Sequence, residues 1–231
     1  MQARLKGLAC RENPFQTLIE ALAARSDEDR SWLAFHRMKS VTTLTYRDAW
    51  RLAQGWASAF AAHGVRSGDR VAILQPNSTD FVGSFFGALG LGATPVPLPF
   101  PVVSLAAMQL PLGAMAILRH AKVTALAAPA AVSDVGISVV TSPIDRRFDF
   151  LVSTEVPAFI QFTSGSTSSP RGVVISQQAA VASAVAMSDA LALTSSDVGV
   201  SWLPFFHDMG LVGVLLSLAR LRVSGDIRVI V

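Results

Sequence analysis

The sequence predicts an α/β protein whose sheets are largely parallel and flanked by helices. Short apolar runs at residues 71–74, 93–98 and 124–128 are typical of strands that are buried on both faces. The segments between these runs have apolar residues at helical spacing, and this alternation favours parallel strands joined by right-handed crossovers. Hydrophobic residues make up 51% of the 231 residues and charged residues only 15%, so there is enough apolar material for a large core.

The first elements carry recognisable start and stop signals. Asn13 and Pro14 predict the start of a helix, because asparagine is a good N-cap and proline suits the first helical position. A short strand is expected at residues 32–35. Thr45 is the predicted cap of a second helix, which Gly64 ends.

The middle and the end of the chain continue this alternation. A helix is expected from about residue 78 to 92, and another leads to His120. Residues 129–156 are less regular, and a boundary between two lobes, 1–150 and 151–231, could lie there. Further strands are predicted at 160–162, 173–175, 198–202 and 227–231, and further helices at 176–193 and 211–221.

Charge and hydropathy exclude several classes of partner. The net charge is only +3 and the 19 basic residues are scattered, whereas a nucleic-acid-binding surface normally has a basic cluster, so no nucleic-acid partner is expected. Residues 81–118 lack charged side chains, but the prolines from Pro95 to Pro101 break the run, so no membrane span is predicted. The single cysteine, Cys10, permits no intramolecular disulfide, which favours a cytoplasmic location.

Residues 162–172 form the most informative segment of the chain. Six of these residues are hydroxylic, and the segment also contains two glycines and the positive charge of Arg171. Hydroxyls and backbone N–H groups can wrap an anion, and a guanidinium suits phosphate. The pattern therefore predicts a polyphosphate site, although a flexible surface linker has a similar composition. The P-loop and G-x-G-x-x-G motifs are both absent.

The same segment resembles the signature [YF]-T-S-G-[ST]-T-G-x-P-K-G of the adenylate-forming superfamily. That superfamily includes acyl-CoA synthetases, fatty acyl-AMP ligases, peptide-synthetase adenylation domains and luciferases. Ser168 stands where the signature has glycine, and Arg171 replaces its lysine while keeping the charge. The resemblance implies ATP and Mg²⁺ as cofactors, with Thr167 helping to position the Mg²⁺. The residues that it implies as phosphate and ATP ligands are Thr163, Ser164, Gly165, Ser166, Thr167, Arg171 and Gly172.

A second segment, residues 201–211, resembles the W-L-P-x-x-H-D-M-G-L string of fatty acyl-AMP ligases. Acyl-CoA synthetases more often have a related string without the Asp-Met pair, so the fatty acyl-AMP ligases are the nearer resemblance. An isolated His207 would more often be a core histidine, hydrogen-bonded to Asp208. The resemblance implies instead that His207, the one candidate catalytic residue, faces the acyl-adenylate. The residues that it implies for the acyl and adenylate pocket are Trp202, Phe206, His207, Asp208, Met209 and Gly210.

Weaker similarities extend over most of the chain. Residues 44–49, 68–73 and 95–101 resemble strings that recur in the same superfamily. Family members continue with a Y-G-x-T-E string whose glutamate helps to hold Mg²⁺, an aspartate for the ribose, and a small C-terminal domain with a catalytic lysine. None of these groups is present in the 231 residues. The resemblance thus implies that residues 1–231 are the first part of the large N-terminal AMP-binding domain, without the small C-terminal domain.

The function implied by the resemblance is ATP-dependent activation of a fatty acid to an acyl-adenylate. The acyl group would then pass to an acyl carrier protein, or to a carrier domain of a polyketide or peptide synthase. Because essential groups are absent, we expect the chain alone to be inactive or nearly so. Two alternatives stay open: a fragment of a long-chain acyl-CoA ligase, and a non-enzymatic remnant that binds an acyl chain, a nucleotide or a separately encoded remainder of the enzyme.

Overall fold

The computed structural model describes residues 15–100, 110, 112–130, 132, 135–163, 170–194, 197–217 and 227–230. These residues form three sheets with helices packed against them. Five of the seven strand pairings are parallel. The predicted α/β fold with largely parallel sheets is therefore confirmed.

The first sheet contains four parallel strands in the order β4–β3–β5–β6. The strands are β3 (Arg70–Ile73), β4 (Thr94–Pro97), β5 (Ala125–Ala127) and β6 (Ser138–Val140). Helix α3 (Thr79–Leu91) lies between β3 and β4 in the chain, and α4 (Leu112–Ala121) lies between β4 and β5. The three predicted apolar runs are confirmed as neighbouring strands. β6 was not expected from the sequence, because it lies within the irregular stretch 129–156.

The second sheet has the strand order β2–β1–β10–β9. Its strands are β1 (Ser31–Arg37), β2 (Ser40–Thr45), β9 (Val200–Ser201) and β10 (Ile227–Ile230). β1 pairs antiparallel with β2 and parallel with β10, which in turn pairs parallel with β9. β2 was not expected from the sequence, because most of its residues are exposed and it lacks an apolar pattern. β9 is shorter than the predicted strand at 198–202, since only two of its residues pair with β10.

The third sheet is an antiparallel hairpin of β7 (Phe159–Thr163) and β8 (Arg171–Ile175). The predicted strands on either side of the hydroxyl-rich segment, residues 162–172, are thereby confirmed, and they pair with each other. β7 is largely buried at its start, whereas β8 is exposed along most of its length. Val173 and Val174 point to opposite faces of the strand, and they are 47% and 59% exposed.

Helix α1 (Leu18–Ala23) begins later than the sequence analysis predicted. Its N-cap is Thr17, which forms a reciprocal capping box with Glu20. The predicted cap at Asn13 and Pro14 lies outside the described residues. The capping box was overlooked because the Asn-Pro pair is the more conspicuous signal.

The two long helices are α2 (Tyr46–Ala62) and α5 (Gln177–Ala190). Thr45 caps α2 by accepting a hydrogen bond of 3.0 Å from the backbone N–H of Asp48, as predicted. Gly64 follows that helix with a φ of +87°, a conformation that glycine adopts without strain. Ser176 caps α5 in the same way as Thr45, through the backbone N–H of Ala179 at 3.1 Å.

After β9 the chain forms a short helical turn, α6 (Asp208–Gly210), and then a π-helix (Leu211–Leu216). The helix predicted over 211–221 is therefore a π-helix in its described part. Ser217 lies five residues beyond Val212, and both its backbone N–H and its hydroxyl donate to the Val212 carbonyl. That five-residue spacing is the defining feature of a π-helix.

The largest buried cluster draws side chains from both ends of the chain. It joins residues of α1, β1, α2 and α3 to residues of β7, α5 and the π-helix. Trp32 and Tyr46 stack within it, with ring centroids 5.0 Å apart. The division into lobes near residue 150 stays a prediction, although this cluster packs side chains from either side of it. None of the helices within the described ranges has the length and apolar character needed to cross a bilayer.

Candidate functional site

The hydroxyl-rich segment begins and ends in the β7–β8 hairpin. Thr163 pairs with Arg171 and Phe162 pairs with Gly172, so the two ends of the segment lie side by side. The other predicted ligands lie outside the described residues: Ser164, Gly165, Ser166 and Thr167. The predicted roles of this segment in binding phosphate and Mg²⁺ therefore stay predictions.

Arg171 and Gly172 are both exposed at the start of β8. Within the described part of the chain, no carboxylate forms an ion pair with the Arg171 guanidinium. A Cβ atom on Gly172 would lie 2.8 Å from Cζ of Phe162, so glycine allows that ring to lie across the strand. The hairpin thus presents an exposed cation next to the point where the two strands meet.

The second predicted segment, residues 202–207, connects β9 to α6 without regular secondary structure. Phe205 anchors it in the core, where its ring lies 5.4 Å from that of Phe81 and 6.3 Å from that of Phe35. Gly210 is buried, and a Cβ atom there would lie 2.1 Å from the backbone oxygen of Pro204. The segment can fold back on α6 in this way only because residue 210 is glycine.

The side chains beside this anchor extend towards solvent. Trp202 is 75% exposed and Met209 is 49% exposed. His207 is also exposed, and its Nδ1 lies 2.6 Å from Oδ1 of Asp208. His207 is therefore not a core histidine, although Asp208 is its partner, as that alternative expected. Phe206 is half-buried between these groups.

Asn77 fixes the backbone of the second segment through two side-chain hydrogen bonds. It follows β3 and directly precedes Ser78, which caps α3. Its Nδ2 donates to the Leu203 carbonyl at 2.9 Å, and its Oδ1 accepts from the Phe205 backbone N–H at 2.8 Å. Both ends of the amide are satisfied, which fixes the position of the backbone on either side of Pro204.

Gln161 joins the two predicted site segments. It lies in β7, two residues before Thr163, and its Nε2 donates to the Phe206 carbonyl at 3.0 Å. The strand that leads into the hydroxyl-rich segment is therefore bonded to the residue directly before His207. Neither Asn77 nor Gln161 was expected from the sequence to have a role, although Gln161 lies within a predicted strand and Asn77 lies shortly after another.

A separate groove of about 720 Å³ lies between α2 and residues 143–147. Arg51, Arg146 and Arg147 line it together with aspartates, and none of the predicted site residues does. Across the described residues, no group of three histidine, cysteine or carboxylate side chains is arranged to hold a metal ion.

Comparisons with known proteins give a consistent picture. The model of the AMP-binding enzyme family matches residues 20–221. A Caulobacter vibrioides protein named as an acyl-CoA synthetase is 33% identical over 92% of this chain and 40% of its own length. A long-chain-fatty-acid–AMP ligase of Mycolicibacterium smegmatis is 36% identical over 65% of this chain and 26% of its own length. A medium-chain-fatty-acid–[acyl-carrier-protein] ligase of Moorena producens is 27% identical over 88% and 38%.

The fold itself is shared with a solved structure. The fatty acyl-adenylate ligase of L. pneumophila, crystallised with acyl adenylate and pyrophosphate, superposes with a TM-score of 0.84 at 23% identity. The match covers 94% of this chain and 40% of that chain. The chain thus spans at most about two fifths of these relatives and matches the N-terminal part of adenylate-forming enzymes. Since the family model matches most of its length, the chain belongs to the AMP-binding enzyme family.

Proposed function

We propose that this chain supplies the phosphate-binding and acyl-binding part of a fatty acyl-AMP ligase. The observation that carries the proposal is the hydrogen bond of 3.0 Å between Gln161 and the Phe206 carbonyl. It holds the strand that leads into the predicted phosphate segment next to the segment that carries His207. A nucleotide bound by the first segment would therefore lie beside an acyl group bound at the second.

The β7–β8 hairpin is the proposed phosphate side of this site. Its paired ends close a segment rich in hydroxyls, and Arg171 adds an exposed positive charge there. A guanidinium offers forked donors to phosphate oxygens, and it keeps its charge throughout the physiological pH range. We assign the β- and γ-phosphates of ATP to Thr163–Thr167 and Arg171, and Mg²⁺ to the neighbourhood of Thr167.

The segment around His207 is the proposed acyl and adenylate side. Trp202, Phe206 and Met209 provide apolar surface there, and two of these side chains are exposed. A fatty acid binds by placing its chain against apolar groups and its carboxylate near polar ones. His207, exposed and held by Asp208, is the polar group that we assign to the carboxylate or the adenylate.

In the proposed reaction the fatty acid carboxylate attacks the α-phosphate of ATP, and pyrophosphate leaves. Positioning and neutralisation of charge carry such chemistry. The glutamate, aspartate and lysine implied by the family resemblance are not among these 231 residues. We therefore expect the chain alone to bind its ligands without sustained turnover. The carrier-protein ligase among its relatives supports a carrier protein as the acyl acceptor.

Calorimetry with ATP and with a non-hydrolysable acyl-adenylate analogue tests the proposal. We expect both to bind to the parent chain and Arg171→Ala to weaken ATP binding. Arg51→Ala is the matched control, because Arg51 is an exposed arginine on α2 away from the hairpin. No binding to the parent, or equal losses in the two variants, would refute the phosphate assignment. Clear pyrophosphate exchange by the parent, lost in Arg171→Ala, would refute the expected inactivity.

An acyl-CoA ligase is the second candidate, because one relative carries that name. The same site would then pass the acyl group to the thiol of coenzyme A instead of a carrier protein. Joining this chain to the part of a relative that lies beyond the matched region would distinguish the two candidates by which acceptor is acylated. A cytoplasmic location stays a prediction.

A further inference from the structure

The connection between β9 and α6 needs support from other parts of the fold. Residues 202–207 have no strand or helix to satisfy their backbone polar groups. Three bonds come from nearby residues. The Leu203 N–H donates to Oγ of Ser201 at 3.2 Å, the His207 N–H donates to the Pro204 carbonyl at 3.0 Å, and the His207 carbonyl accepts from the Leu211 N–H at 2.8 Å. Further bonds come from two side-chain amides that lie far away in the sequence, those of Asn77 and Gln161.

Asn77 provides its amide from the loop between β3 and α3, and Gln161 provides its amide from β7. Asn77 is 7% exposed and bonds to backbone atoms of Leu203 and Phe205. Gln161 bonds to the Phe206 carbonyl from the middle of β7. These three bonds thus fix the backbone from residue 203 to 206 relative to both β7 and the loop that follows β3.

The side chains on this fixed backbone are free to meet a ligand. Trp202 and His207 lie on either side of the bonded stretch and are both exposed. A site whose backbone is already held rigidly loses little backbone conformational entropy when a ligand binds. Of these two residues, Asn77 and Gln161, only Gln161 belongs to the strand that leads to Thr163.

We propose that Gln161, supported by Asn77, is a positioning residue that holds the His207 segment in register with the β7–β8 hairpin. The inference rests on the proposed function, because it assigns to Gln161 the alignment of the acyl side with the phosphate side. Gln161 touches neither ligand in this proposal and acts only through the Phe206 carbonyl. Its removal should leave the fold intact and misplace the two halves of the site.

Gln161→Met tests the proposal, since methionine has a similar length and no N–H donor. The matched control is Gln177→Met. Gln177 is 4% exposed, accepts from the Leu18 N–H at 3.2 Å and donates to the Val156 carbonyl at 3.4 Å. The two substitutions remove the same kind of amide bridge, but only the first lies next to His207.

Two readouts are needed on the full chain. Calorimetry gives the affinity for the acyl-adenylate analogue. The ¹⁹F spectrum of chain labelled with 5-fluorotryptophan gives the environment of Trp202, whose signal Trp202→Phe identifies among the four tryptophans. Of the other three, Trp32 and Trp56 are buried and Trp50 is half-buried, so Trp202 is the one that reports on the exposed segment.

We expect Gln161→Met to shift or broaden the Trp202 signal and to weaken analogue binding about fivefold to tenfold, the value of one lost hydrogen bond. Gln177→Met should lower thermal stability yet change neither readout. Asn77→Asp keeps the acceptor for Phe205 but loses the donor to Leu203, so it should also move the Trp202 signal.

An unchanged Trp202 signal in Gln161→Met would overturn the proposal. An equal change in Gln177→Met would do the same, because it would show a general loss of stability. A moved Trp202 signal together with unchanged analogue affinity would also overturn it, since the bond would then be structural only. If the parent binds no analogue, the proposed function fails, and the ¹⁹F signal still decides whether Gln161 positions the segment.

Discussion

The parallel sheet β3–β6 and the stretch from β7 to α6 are fixed in different ways. β3, an inner strand of the parallel sheet, is covered on both faces, and its residues Val71, Ala72 and Ile73 are fully buried. The second stretch has an exposed strand and an irregular connection, which depend on single amides and on Gly210. Apolar burial therefore specifies the first region, whereas a few exact polar and steric contacts specify the second.

The largest expected effect lies on α3, the helix that follows β3 and packs in the same buried cluster as Ile73 of that strand. Phe86 is fully buried and contacts Trp32 and Phe85 edge to face. Phe86→Ala should lower the free energy of unfolding by about 3–5 kcal/mol, because it removes a large apolar side chain and leaves a cavity. Val174→Ala on the exposed β8 should change it by less than about 0.5 kcal/mol. Urea denaturation measures both, and similar losses would remove the distinction between the regions.

A smaller effect is expected at Gly210, where one methyl group would meet backbone rather than a side chain. Gly210→Ala should cost roughly 1–3 kcal/mol, since the Pro204 carbonyl cannot move without disturbing the whole connection. Gly213→Ala is the control, because the nearest atom to its new Cβ would be Met187 Cε at 3.7 Å. Denaturation curves compare the two. A harmless Gly210→Ala would mean that the connection tolerates movement.

The smallest effect concerns the charge of Asp80 in the first turn of α3. Burial raises the pKa of this carboxyl above its ordinary value of 3.8, and the nearby Trp56 indole opposes that rise less strongly. The folded state therefore holds the proton more tightly than the unfolded state, so stability falls as the pH rises from 3.8 through the raised pKa. Position at the helix start favours the charged form, which keeps the effect small.

Asp80→Asn should abolish this pH dependence. The variant should gain stability relative to the parent as the pH rises over that window, and the gain should then stay constant towards neutral pH. Thermal unfolding between pH 3 and pH 7 measures the difference. A difference that does not change with pH would show that the carboxyl titrates alike in the folded and unfolded states.

The same comparison explains how much the sequence alone could predict. Strands such as β3 and β5 are continuous apolar runs, so their burial can be predicted from the local sequence. Caps such as Thr45 and Ser176 accept from backbone N–H groups three positions further along the chain, so they too can be predicted from the local sequence. β2 could not be predicted in this way, because its pairing with β1 leaves most of its side chains exposed.

The candidate site was predictable only in part. Resemblance to family strings identified the residues around Arg171 and His207, and the bond from Gln161 to the Phe206 carbonyl connects β7 to the second of these segments. Asn77 and Gln161 were not identified, because their importance lies in bonds to residues 126 and 45 positions away. No local pattern reveals such a partner. The exposure of His207 likewise depends on Phe205, whose burial turns its neighbours outward.

Hydrogen exchange with and without ATP tests the central claim most directly, because it shows which backbone segments the nucleotide orders. We predict ATP-dependent protection in peptides covering 159–175 and 201–210, with no change at 143–147 beside the separate groove. Protection confined to the groove, or none at all at saturating ATP, would contradict the claim that the β7–β8 hairpin and the His207 segment form one nucleotide-binding site.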